Sequence, residues 1–71
     1  METLLKTYGL NSDMQYFEML CRTVKRTHKS DAKILFNDMP RKVRKAFIVA
    51  IYGNWNSGLN DQERAYFINL L

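Results

Sequence analysis

One cysteine, one histidine, one proline and three glycines are spread over 71 residues, and these scarcities close off several classes of function. A lone thiol, Cys21, cannot form an internal disulfide. With His28 as the only histidine, no constellation for a structural zinc exists. The few glycines form neither a phosphate-cradling loop nor a nucleotide fingerprint, and no cofactor is expected. No apolar run approaches the ~18 residues of a membrane span, the longest being AFIVAIY from Ala46 to Tyr52. The opening METLLKTYGL is too short and too polar for a signal peptide, and a single thiol fits a reducing interior. The expected location is cytoplasmic, with no membrane partner.

What is present suffices for one small core. Apolar residues make up 46% of the chain, with nine aromatics and four methionines, which argues against disorder. A chain this short buries only about 60% of its unfolded surface, so residues 1–71 are expected to form a single helical domain stabilised by packing or by oligomerisation.

Punctuation divides the chain into helices. A short helix over Glu2 to Tyr8 stops at Gly9, with Leu4 and Leu5 as its anchors. Ser12 and Gln15 have capping-box spacing, so Ser12 should cap a second helix. On that helix Phe17, Leu20, Cys21, Val24 and His28 share one face. Ser30 or Asp31 can cap a third, DAKILFN, anchored by Ile34, Leu35 and Phe36. Pro40 interrupts it, forces Met39 out of the helical region, and suits the first position of a fourth helix that Gly53 would end. Asn60, with Glu63 three residues on, should cap a fifth. Strand signals are weak. The expected fold is all-α, a compact bundle of four to five short helices, with the second, fourth and fifth as main core elements.

Charge is unevenly distributed. The net charge is +4, but Arg22 to Lys45 holds nine of the eleven Lys and Arg residues against Asp31 and Asp38, a local net of +7. In the fourth helix, at ~100° per residue, Val43, Ala46, Phe47, Ala50 and Ile51 gather on one side and Arg41, Lys42, Arg44 and Lys45 on the other. Further along, Ile48, Val49 and Tyr52 project where the cations pointed, so the C-terminal half should be enclosed by the fold or by a second chain. Four cations at the positive end of a helix are electrostatically unfavourable, unless an anion is held there. A solvated face is the simpler reading.

Enzymatic chemistry is not expected. Cys21 and His28 lie two helical turns apart, about 10 Å, too far for a base to activate the thiol. The stretch SDAKILFNDMPRKVRKAFI has the gross form of a helix-turn-helix. It offers only Arg41 and Arg44 for bidentate base contacts, so backbone contact fits better than sequence readout. Arg22, Lys25 and Arg26 could extend the same surface if the fold brings the two helices together. Among the aromatics, Trp55 is set in a polar loop, where it either caps the core or anchors an interface. Met19 falls on the basic side of the second helix, and Met14 and Met39 are adaptable contact residues.

The segments METLLKTYGLNSDMQYFEML and LFNDMPRKVRKAFI…LNDQERAYFINLL resemble those of short uncharacterised helical accessory proteins of bacteriophages and mobile elements. That resemblance covers most of the chain, through a capped helix, an MP breaker and a Trp-bearing loop before a last helix. It implies an accessory role in a bacterial host, exercised by binding. Two partners are compatible with the residues. One is nucleic-acid backbone on Arg22, Lys25, Arg26, Arg41, Lys42, Arg44 and Lys45. The other is an acidic host protein on Met19, Tyr52 and Trp55, steered by the same charges. Homodimerisation through Ile48, Val49, Tyr52, Leu70 and Leu71 is compatible with either.

Overall fold

A computed structural model describes all residues from Met1 to Leu71. Five helices follow one another: α1 (Glu2–Thr7), α2 (Asp13–Lys25), α3 (Lys29–Asp38), α4 (Arg41–Tyr52) and α5 (Asp61–Leu70), with no strand. The all-α bundle expected from the sequence is what forms. The Cα radius of gyration, 11.0 Å, equals the ~11 Å of a folded domain of this length, so no helix stands apart from the rest.

Local signals set most of the boundaries. Leu10 N–H donates to the Leu5 carbonyl and Gly9 N–H to that of Lys6, a Schellman closure with Gly9 at φ +66°. Ser12 Oγ accepts from Gln15 N–H at 3.3 Å. The reciprocal half of the expected box is displaced by one residue, since Gln15 Oε1 accepts from Asn11 N–H. At α5 the box is complete: Asn60 Oδ1 takes Glu63 N–H and Glu63 Oε1 takes Asn60 N–H. Met39 is extended before Pro40, as proline requires, but Pro40 is the N-cap of α4 rather than its first residue.

The end of α2 departs from expectation. The helix stops at Lys25, and His28 is exposed at the N-cap of α3 instead of lying on the core stripe. His28 N–H donates to the Thr23 carbonyl and Thr27 N–H to that of Val24. This is a second Schellman closure, with Thr27 at φ +62° in the place usually taken by glycine. The early stop lets α3 begin at Lys29, ahead of Ser30 and Asp31.

The core is organised around the four phenylalanines, one from each of α2 to α5. Phe47 lies 5.1 Å from Phe17, 6.0 Å from Phe36 and 4.9 Å from Phe67, measured between centroids. Tyr16, Leu20, Cys21, Val24, Ala32, Met39, Ile48, Ile51 and Leu59 complete it. α3 packs against both α2 and α5, and α4 against α5, so α3 is a main core element in addition to the expected α2, α4 and α5. Its buried residues are Ala32 and Phe36, followed by Met39, at i, i+4 and i+7, while Ile34 faces solvent. Two tyrosines fasten α3. Tyr16 Oη donates to the Leu35 carbonyl at 2.7 Å, one of the last-turn acceptors that lack a helical donor. Tyr66 Oη donates to the Lys29 carbonyl at 2.8 Å.

In α4 the buried face comprises Phe47, Ile48 and Ile51, whereas Ala46 is exposed. The buried face is shifted toward Ile48 relative to the expected wheel; α5 packs on α4, with Phe67 against Phe47. Val49 and Tyr52 remain in solvent, 72% and 51% exposed.

Candidate anionic-partner surface

The seven candidate cations form two separate clusters. Arg22, Lys25 and Arg26 occupy the last turns of α2, where positive charge complements the helix dipole. Arg22 and Arg26 line a groove of about 520 Å³ between α2 and α3, with Met19 and Leu35 as its apolar residues and Thr23, His28 and Asp31 completing it. Arg22 also borders a groove of about 370 Å³ toward the loop after α4, beside Glu18, Cys21, Lys25 and Trp55. Lys25 is committed elsewhere, its Nζ standing 3.4 Å from Glu63 Oε1.

The second cluster opens α4. Arg41, Lys42 and Lys45 are exposed, and no acidic residue shares the first turn. No side chain caps this helix, so its first amide N–H groups add to the positive potential. Arg44 differs from its neighbours, being half-buried with an Nε that is buried and unpartnered.

The two clusters are not brought into one cleft. α2 and α4 meet at Phe17 and Phe47, and none of the four grooves on the surface includes an α4 residue. The α2 cations flank grooves; the α4 cations line none of them. Of the eleven Lys and Arg residues, only Lys25 and Arg64 lie within 4 Å of a carboxylate.

No protein-family model, curated protein or solved structure matches the chain. Chemistry and geometry therefore carry the functional reading.

Cys21 is buried in the core, and burial, with a lesser push from Glu63 and Glu18 against the pull of Lys25, raises its pKa to about 12. A thiol so protected stays protonated and un-nucleophilic at neutral pH. His28 belongs to the groove between α2 and α3.

The candidate interface residues also separate. Trp55 is half-buried, its ring 6.4 Å from that of Phe17, so it closes the core from the loop side while edging the smaller groove. Met19 is half-buried beside the α2–α3 groove. Tyr52 is exposed but carries the Arg64 guanidinium over its ring, 5.8 Å from the centroid. Arg64 was not among the sequence candidates. It joins Asp61, the Leu59 carbonyl and Tyr52, and of these contacts only the i,i+3 spacing to Asp61 is visible along the chain. Met39, read as a contact residue, is buried at 2% exposure.

No helix is long and apolar enough to cross a membrane.

Proposed function

We propose that the protein is a non-enzymatic binding module that contacts the sugar–phosphate backbone of nucleic acid. The observation that carries this reading is a group of five exposed cations with no carboxylate partner, Arg22 and Arg26 at the end of α2 and Arg41, Lys42 and Lys45 at the start of α4; Lys6, Lys29 and Lys33 are likewise exposed and without a carboxylate. Unpaired cations outside any shared cleft enrich an anionic polymer by counterion release without fixing its sequence. Lysines and dispersed arginines suit phosphate oxygens rather than base edges. The uncapped start of α4 adds amide donors of the kind that phosphates take.

The deciding experiment is fluorescence anisotropy with a short labelled duplex, and separately a single strand, titrated at a series of salt concentrations. Five phosphate contacts correspond to a slope of log affinity on log salt of about −4 to −5 for duplex. A flat salt response, or no binding at low salt, would refute the reading.

A further inference from the structure

The exposed face of α4 has a polarity of its own. Arg41, Lys42, Lys45, Ala46, Val49 and Tyr52 fall on a single side of the helix and are all exposed. The N-terminal half of that stripe is cationic and the C-terminal half apolar. Ile68 on α5, 42% exposed, extends the apolar half. It follows Arg64 by one turn, and Arg64 touches Tyr52 across the α4–α5 seam. None of the three cations has a carboxylate within 4 Å.

We infer that this face docks an acidic amphipathic segment of a partner protein. Its apolar side chains would cover Val49, Tyr52 and Ile68, and its carboxylates would lie opposite Lys45 and Lys42, about 6–10 Å further along the α4 axis. Charge complementarity selects this occupant. A second copy of the chain fits poorly. Parallel pairing of two α4 stripes stacks like charges, and antiparallel pairing sets the ammonium groups of one against the apolar half of the other. Nucleic-acid backbone would engage Lys42 and Lys45 but leave Val49 and Ile68 wet. Desolvating such side chains is what a helix-in-groove or helix-on-face contact does. The inference does not depend on nucleic-acid binding, although both partners would compete for Lys42 and Lys45.

Two synthetic helical peptides test it. Both carry a leucine stripe over one half, and the other half of the same face holds glutamates in one peptide and lysines in its control. Each is titrated into isotopically labelled full-length protein and followed by NMR. The glutamate peptide should bind at least roughly ten-fold more tightly than the control, with shifts confined to Lys42–Tyr52 and Arg64–Ile68. Val49→Asp, at a solvent-facing position, should weaken it by roughly ten-fold or more. Lys42→Glu with Lys45→Glu should reverse the peptide preference, a readout that loss of structure could not produce. Equal affinity for both peptides, shifts centred on Arg22 and Arg26, or no shift at millimolar peptide would overturn the inference. So would a concentration-dependent mass abolished by Val49→Asp, which assigns the face to a second copy. A DNA duplex whose binding is weakened roughly ten-fold by Ile68→Ser, a neutral change away from the cations, would likewise overturn it, because it assigns the apolar half of the face to nucleic acid.

Discussion

The ring of Phe47 meets the ring of Phe67 edge-on, 4.9 Å between centroids and 87° between planes. Phe36 stands 5.8 Å from the one and 6.0 Å from the other, in the order Phe67, Phe47. Removing the central ring should therefore abolish the fold. A Phe47→Ala cavity costs about 3–5 kcal/mol, as much as a single core of this length supplies. Circular dichroism of Phe47→Ala should show little native helix at room temperature, while Phe47→Leu should still unfold cooperatively at a lower midpoint. A cooperative Phe47→Ala transition near that of the parent would contradict the central role of this ring.

Thr27 is the position most open to improvement. A β-branched residue at φ +62° is held against its preference, at roughly 1–2 kcal/mol for the left-handed region. Glycine there relieves the strain and gives back part of the gain as chain entropy. Thr27→Gly should raise stability by roughly 0.5–1 kcal/mol in urea denaturation. An unchanged or lower midpoint would show that the exposed turn is relaxed with threonine in place.

The same residue explains where the sequence was hard to read. Gly9, Ser12, Gly53 and Asn60 announce their boundaries chemically: α1 closes at Gly9, α2 begins after Ser12, α4 ends before Gly53 and α5 begins after Asn60. Thr27 adopts glycine's conformation without glycine's identity, so the stripe from Phe17 to Val24 reads on into His28. The core role of α3 is obscured by its composition: Ile34, Leu35 and Phe36 cluster mid-helix, whereas burial follows the sparser Ala32, Phe36, Met39 spacing. In α4 the wheel gives the right residue types but not the rotation, since tertiary contact decides which flank of the stripe, Ile48 or Ala46, is covered. The cations of the candidate surface were all legible. Which of them are free was not, because the partner of Lys25 is 38 residues away on α5.

Glu63 serves two contacts at once, the capping box with Asn60 and the ion pair with Lys25. Its variants should separate them. Asn60→Ala should cost about 1 kcal/mol, and Lys25→Ala no more than about 0–1 kcal/mol, as for other solvent-exposed pairs. Glu63→Gln retains an oxygen for the Asn60 amide and should resemble Lys25→Ala, whereas Glu63→Ala should lose both contributions. Urea midpoints of the four variants check the order. A Glu63→Ala midpoint equal to that of Glu63→Gln would show that the cap is not formed in solution.

Cys21 provides a pH signature. Its ordinary value is ~8.5, and burial pushes it up to about 12 in the fold. The protonated thiol is thus favoured by folding, and its contribution is fully present below the unfolded value. As pH climbs from there toward the folded value, the unfolded chain releases a proton that the native chain keeps, so stability falls. Tyr16, also raised to about 12 chiefly by burial, acts in the same direction at higher pH. Urea midpoints measured from neutral to alkaline pH should decline more steeply for the parent than for Cys21→Ala. Parallel profiles would mean that the thiol titrates alike in both states. At neutral pH a thiol reagent should label native Cys21 only as fast as the structure opens.

The ion pair of Lys25 also sharpens the nucleic-acid proposal, because a cation already held by a carboxylate releases fewer counterions on meeting a phosphate. Arg41 and Lys25 both carry one charge, yet Arg41 has no acidic partner and Lys25 has Glu63 at 3.4 Å. If backbone binding uses the free cations, Arg41→Ala should lower the magnitude of the salt slope by about 0.9. Lys25→Ala should move it less, and Glu63→Gln, which frees the ammonium, should raise affinity at low salt. Anisotropy titrations of the three variants on one duplex measure this directly. Equal slopes for Arg41→Ala and Lys25→Ala would show that ion pairing does not sort the contacts, and an unchanged slope in Arg41→Ala would remove α4 from the binding surface.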